Sequence, residues 1–426
     1  MTVEIDGANN IIKTNTINEV SSANGVTVDG LNIKDSKLVT ANSVVEANIT
    51  NGAVTSGKIA SGVIPASRPN VSPLIINGDM AVAQRGTSAT GLGSGGGGYK
   101  TVDRWRFSKS GTLTAEFTMS QSTDVPSGQG FAKSLKLDCT TAQGSLSSNN
   151  NLILEQKFEG QDLQLFKKGT SNAEKFTLAF WVKSNKTGTS QVNLNDNDNS
   201  RLISATYTIS SANTWEHKVL NYASDTTGAF NDDNASSLQI EWFLDSGTDF
   251  SSGTAPTSWE ALANTDRNAN NLALADSTSN ELYITGVQLE VGEYTSSTIP
   301  PFQHESFGDN LFRCQRYYFR TPVLQNQVFA TGFSSNSTTG RGLFENYQVM
   351  RSAPSISKSS GTDFAVHQAA SSTQTTGLDF YYMTNKTSLW YATVSSGLTE
   401  GNGALLIDDG GANAYIEGSA ELWLIQ

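Results

Sequence analysis

Four acidic residues, Glu155, Glu159, Asp245 and Glu260, are of the type that cleaves glycosidic bonds, a reaction needing two carboxyl groups a few ångströms apart around a cleft. Their spacing does not by itself make any two converge, so polysaccharide depolymerisation stays an alternative to binding. Nucleophilic and metal chemistry have less to stand on. The three histidines, His217, His304 and His367, lie in separate segments with no Cys or His at ligand spacing, and no serine sits in a G-x-S-x-G elbow. The run from Gly91 to Gly98 fits a phosphate-loop pattern only through its richness in glycine, with no strand-loop-helix unit around it, and reads as a flexible loop. No catalytic residue is therefore assigned.

What remains is recognition. Trp and Tyr rings stack on the apolar faces of sugars and keep a polar edge; the candidates are Trp259 in a Gly/Ser/Pro-rich loop, Tyr381, Tyr382, Trp390 and Tyr391. Clustered acids at Asp196 and Asp198, Asp232 and Asp233, and Asp408 and Asp409 could hold a structural calcium ion through carboxylate and carbonyl oxygens, or could simply be turn formers.

The 426 residues carry a formal charge of −12, with 16% charged and 9% aromatic side chains. A surface of that sign repels phosphate backbones and anionic membranes, which argues against nucleic-acid or membrane partners. Two cysteines, Cys139 and Cys314, are too few for a disulfide framework and read as buried thiols. No segment combines a basic start with an apolar run, and none approaches a membrane span. The expectation is synthesis in a cytoplasm without a signal peptide and release by lysis.

The elements that must position these residues are strands. Alternating runs at Leu113–Met119, Leu135–Cys139, Phe176–Val182 and Leu238–Leu244 each present one apolar face, as antiparallel sheets in a sandwich do. In the run 282–291, Leu282 and Ile284 fall on one side and Tyr283, Thr285, Val287, Leu289 and Val291 on the other, with Pro300 and Pro301 ending the sheet. Short helical turns are expected near Gln161–Lys167 and Trp259–Ala263. Val26 and Val28 alternate against Leu31 and Ile33 around Asp29-Gly30, a hairpin signal. From Val39 to Ile64 apolar residues recur every fifth position, a period that neither a flat strand nor an α-helix accepts. A winding backbone shared among several chains accepts it, which predicts a homotrimeric shaft; the alternative is a flexible linker.

Several segments carry a resemblance. Leu74–Met80 and Val102–Trp105 at one end and Gly286–Gly292 at the other resemble the opening and closing strands of carbohydrate-binding-module-like jelly rolls in phage proteins. The stretches PPFQHESFGDNL and CQRYYFR, with Met350–Pro354 and Ala420–Leu422, are similar to joining and C-terminal elements of phage tail fibres. The resemblance implies an all-β virion protein with three parts: an attachment and shaft segment at 1–73, a jelly roll at 74–304 and a β-sandwich-like tip at 305–426. It further implies docking of the N-terminal part on other tail or neck proteins, and non-catalytic attachment to a host surface polysaccharide. A structural calcium ion, with Asp79 as a further ligand, is also implied. A head, neck or decoration appendage without a specific receptor is the alternative. Within the tip, Arg351 is expected to pair with Glu421.

Overall fold

The computed structural model describes residues 72–411 and 413–422, together with five short strands between residues 4 and 38. The chain divides into two compact units, residues 1–65 and 66–426. In the first, Glu4–Asp6 pairs with Ile11–Lys13, and Val26–Val28 pairs antiparallel with Leu31–Lys34, so that Val26 faces Ile33 and Val28 faces Leu31 as the alternation requires. The five-residue period from Val39 to Ile64 lies outside the described residues.

The second unit is all-β apart from short helices. Its first body is a sandwich of two antiparallel sheets. The six-stranded sheet runs, in spatial order, Glu216–Tyr222, Phe176–Ser184, Glu281–Val291, Ser134–Thr141, Glu116–Ser122 and Ser88–Gly93. The seven-stranded sheet runs Glu260–Ala261, Arg201–Ile209, Gly188–Asp196, Ser236–Ser246, Asn151–Glu159, Arg106–Ser110 and Gly98–Tyr99. Alternate residues of both sheets meet in one core, where Trp242 lies between Trp105 and Phe180 with ring centres 5.6 Å away on each side. A second cysteine-bearing core, formed by Ile76, Val82, Cys314, Tyr317 and Leu422, is smaller. Both cysteines are free and buried.

The strand Glu281–Val291 departs from simple alternation. Val287, Leu289 and Val291 are buried in the same core as Leu282 and Ile284, not on the opposite face. The register explains it: Ala179 faces Gln288 while Trp181 faces Thr285, so the strand holds one extra residue, with Gly286 at φ +61°. Such a bulge flips the face of everything after it. A Cβ on Gly286 would also come within 2.5 Å of the Phe131 ring. The strand ends at Val291, followed by Gly292 at φ +113°, ahead of the two prolines. Near Gln161–Lys167 two 3-10 turns form as expected, whereas Trp259–Ala263 contributes the edge strand Glu260–Ala261 in place of a helical turn.

The tip follows a helix that alternation did not foretell, Phe307–Gln315, whose N-cap Ser306 accepts from the Asp309 amide. Tyr318–Arg320, Ile416–Ser419 and Ser355–Lys358 form a small sheet. The remaining six strands close into a barrel, in order Val328–Asn336, Thr339–Glu345, Thr387–Val394, Ser371–Tyr381, Phe364–Gln368 and Gly403–Asp408. The two layers of the tip are thus opposite walls of one closed sheet. Trp390 fills the lumen. Room for it comes from three wall glycines: a Cβ on Gly332, Gly340 or Gly342 would approach the indole to 2.7, 3.3 or 2.8 Å. The Trp390 Nε1–H donates to the Thr331 carbonyl. The last strand among the described residues is Ile416–Ser419.

Sandwich and tip share a buried junction. The Glu421 carboxylate, 1% exposed, receives Arg104 and Arg85. Each guanidinium also stacks on a tip tyrosine, Arg104 on Tyr317 at 3.4 Å and Arg85 on Tyr318 at 3.5 Å. Arg316 from the tip grips Glu159 with two bonds of 2.7 and 2.6 Å, and the Tyr317 hydroxyl donates to the same carboxylate. Arg351 does not pair with the Glu421 carboxylate. Its guanidinium donates to the backbone carbonyls of Ala420, Glu421 and Asn234, because the carboxylate is already turned toward the two sandwich arginines.

Candidate functional site

On the outward face of the seven-stranded sheet, successive strands place polar side chains side by side. One cross-strand row reads Asn195, Gln239, Lys157, and the next reads Asn193, Glu241, Glu155, Arg106. Outward residues of a sheet are ordinarily solvated, yet these are buried: Asn195 is 6%, Gln239 2% and Lys157 1% exposed. They are covered from one side by the loop carrying Arg267, whose guanidinium donates to Glu241 and whose carbonyl accepts from Asn193. From the other side comes the tip, through Arg351 and Leu422. Between the covers lies a cavity of about 570 Å³ with Asn195, Asn197, Ser236, Gln239, Arg267 and Arg351 in its lining.

The second row is self-sufficient. Arg106 donates to Glu155, Arg267 to Glu241, and the Gln239 amide nitrogen donates to both carboxylates. The first row is not. The Asn195 Oδ1, Gln239 Oε1 and Lys157 Nζ atoms are each buried without a hydrogen-bond partner. An unpaired buried polar group costs about 1–3 kcal/mol, and three in one row is unusual enough to need a reason. Lys157 Nζ lies 3.7 Å from Glu155, but burial still holds its pKa below the ordinary lysine value. Asn195 and Gln239 also line the cavity, where their unpaired oxygens are acceptors for a hydroxyl group, while Lys157 lies outside the lining. No regularity of sequence marks this row; it exists only where three strands distant in the chain lie side by side.

The residues singled out from sequence are distributed differently. Trp259 is buried, its Nε1–H bonded to the Ala223 carbonyl and its ring under the Lys168 ammonium, and Trp390 is inside the barrel. Neither can meet a sugar. Tyr381, Tyr382 and Tyr391 do reach the surface together on one barrel wall, Tyr381 and Tyr391 with perpendicular rings 6.1 Å apart. Tyr382 is 85% exposed in a left-handed conformation, φ +51°. Among the acid pair candidates, Glu159 is tied to Arg316, Asp245 accepts from Asn271 and two backbone amides, and Glu260 is exposed.

Among the described residues no three His, Cys, Asp or Glu side chains converge as metal ligands. Asp79 takes Asn310 and the Ala81 amide, Asp198 takes Asn231, and Asp233 the Ala235 amide. Asp232 is exposed. Asp408 receives the Gly410 and Ala414 amides, and Asp409 the Gly411 amide, as residues that shape turns do. The Asp196 carboxylate holds an ammonium group. Lys168 Nζ, fully buried, lies 2.5 Å from Asp196, 3.0 Å from Asp225 and 2.7 Å from the Gly228 carbonyl.

No protein-family model matches the chain, and no curated protein matches it. Solved structures similar to the chain include the enzymatically active domain of bacteriophage CBA120 tailspike protein 4, at 14% identity and TM-score 0.28 over 51% of this chain and 21% of that one. The chain therefore spans about a fifth of that tailspike's length. They also include the family 11 carbohydrate-binding module of a Clostridium thermocellum cellulosomal cellulase, at 8% identity and TM-score 0.24 over 49% of this chain and 98% of the module. A family 16 carbohydrate-binding module aligns at 14% identity and TM-score 0.21, over 40% of this chain and 84% of that one. Scores of this size carry neither ligand nor activity from those proteins to this chain.

Proposed function

We propose that this chain is an external structural protein of a phage particle, a tail fibre or comparable appendage, which attaches the particle to a host surface glycan without covalent chemistry. The observation that carries the reading is the pair Asn195 and Gln239, each with a buried amide oxygen that has no hydrogen-bond partner, in the lining of a cavity large enough for one or two sugar rings. The sequence resemblance to phage fibres supports the virion location. Binding, not cleavage, fits the nearest carboxylates: Glu155 and Glu241 face each other across adjacent strands, but each is committed to an arginine and to Gln239. Association of three copies through the N-terminal segment would add avidity to a weak individual site.

The test is a glycan array followed by titration calorimetry on the purified chain and on Gln239→Met and Asn195→Ala variants. Each variant should weaken binding of the recognised glycan by about tenfold or more, as loss of one buried hydrogen bond does. Retention of full affinity in both would remove the site, and absence of any glycan ligand would remove the function.

A further inference from the structure

The cavity over Asn195 and Gln239 differs in chemistry from side to side. On its sheet side both amide nitrogens are turned to carboxylates, Asn195 to Glu241 and Gln239 to Glu155 and Glu241. An ionised carboxylate only accepts, so the two amide oxygens are the groups left for a ligand. On its tip side stands Arg351. Among the described residues, eight of ten arginines have a carboxylate within 4.0 Å; the exposed Arg341 and the half-buried Arg351 do not. Backbone carbonyls take three of the five N–H donors of Arg351, and two remain.

Burial pulls the Arg351 pKa below the ordinary arginine value. Glu159 and Glu421 pull the other way, but the first is held by Arg316 and the second by Arg85 and Arg104. The other charged groups in the lining are matched, Asp196 by Lys168 and Arg267 by Glu241. Three acids lie near the lining in sequence without belonging to it: Asp198 is held by Asn231, and Asp232 and Asp233 are exposed to solvent, which screens them. The lining thus has one uncompensated charge, and it is positive, in a chain whose formal charge is −12. We propose that the ligand is an acidic glycan, its ring hydroxyls donating to the Asn195 and Gln239 oxygens while the carboxylate of a uronic- or sialic-acid-type sugar meets Arg351. The inference rests on the glycan-binding reading above and narrows it to one chemical class. A neutral sugar fills the sheet side and leaves the guanidinium unanswered; an arginine–carboxylate contact is about twice as strong as a neutral hydrogen bond.

The experiment is an array of glycans bearing uronic and sialic acids beside their carboxyl-reduced forms, with neutral and sulfated glycans alongside, probed with the whole chain. The strongest binders should be carboxylated, and reducing the carboxyl to a hydroxymethyl group should weaken them by about tenfold or more. Calorimetry on the best carboxylated binder should show affinity falling as salt is raised. Arg351→Gln should lose the preference for the acidic form over its reduced form, Arg351→Lys should keep it, and Asn195→Ala should weaken both forms alike. A merely structural role at the junction would not sort the variants in this way. Strongest binding to neutral or sulfated glycans, or indifference to reduction, would overturn the acidic class and leave glycan binding standing; silence across the whole array would overturn both. An undiminished preference in Arg351→Gln would overturn the role of Arg351. Should that variant fail to fold, the comparison of acidic and reduced forms on the parent chain decides alone.

Discussion

Lys168 shows how much one side chain can decide. Its ammonium sits where two carboxylates and the Thr227 and Gly228 carbonyls converge, beneath the Trp259 ring. Such a cage suits a hard cation, and the chain supplies one covalently. Removing the charge leaves Asp196 and Asp225 buried against each other, which breaking a buried pair puts at about 3–5 kcal/mol. Lys168→Ala should therefore melt well below the parent protein, and millimolar calcium should recover part of the loss in the variant, the freed oxygens being of the kind that ion prefers. A variant whose melting temperature ignores calcium would show that the cage collapses when emptied.

At the level of elements, the segment Val102–Trp105 ties the sandwich to the first tip strand. Asp103 accepts from the Gln84 amide, and the Gln84 side chain reaches both Asp103 and the Tyr318 carbonyl. Burial pushes the Asp103 pKa up to about 6, with Arg85 and Gln84 pulling the other way. An unfolded chain titrates this group near ~4, so folding takes up a proton between those values. The stabilisation is complete below pH ~4, worth roughly 2–3 kcal/mol, and is lost as pH rises through the folded value. Asp103→Asn cannot titrate. Urea unfolding at several pH values from 4 to 7 should show a shallower dependence in this variant than in the parent, and parallel curves would contradict the assignment.

For the whole molecule, the junction between sandwich and tip makes residues 66–426 one body, not two beads on a string. Glu421 is its keystone, since Arg85 and Arg104 both close on it while stacked on Tyr318 and Tyr317. Glu421→Ala strands two guanidinium groups in a buried place and should cost about 3–5 kcal/mol, read as a lowered urea midpoint. Arg351→Ala should cost less, because its partners are backbone carbonyls that are left without a donor while no buried charge is orphaned. If the two losses are equal, the junction does not hinge on the carboxylate.

The amino-acid sequence by itself determined that the protein is all-β and that its alternating segments are strands, because alternation is a local property that survives whatever the strand later pairs with. Phe176–Ser184 and Ser236–Ser246 lie where their alternating residues place them. Turns and buried thiols were legible for the same reason. Tertiary structure alone decided which face each residue shows once a single glycine such as Gly286 inserts a bulge. It decided that Trp390 fills a lumen while Tyr382 stands in solvent, though both belong to the same aromatic cluster in the chain. It decided that Arg351 finds carbonyls in place of the Glu421 carboxylate. Above all it made the row Asn195, Gln239, Lys157, whose members sit on three strands far apart in sequence. A site of that kind is a product of register between distant strands, and register is set by the packing of the whole core, not by any segment of it.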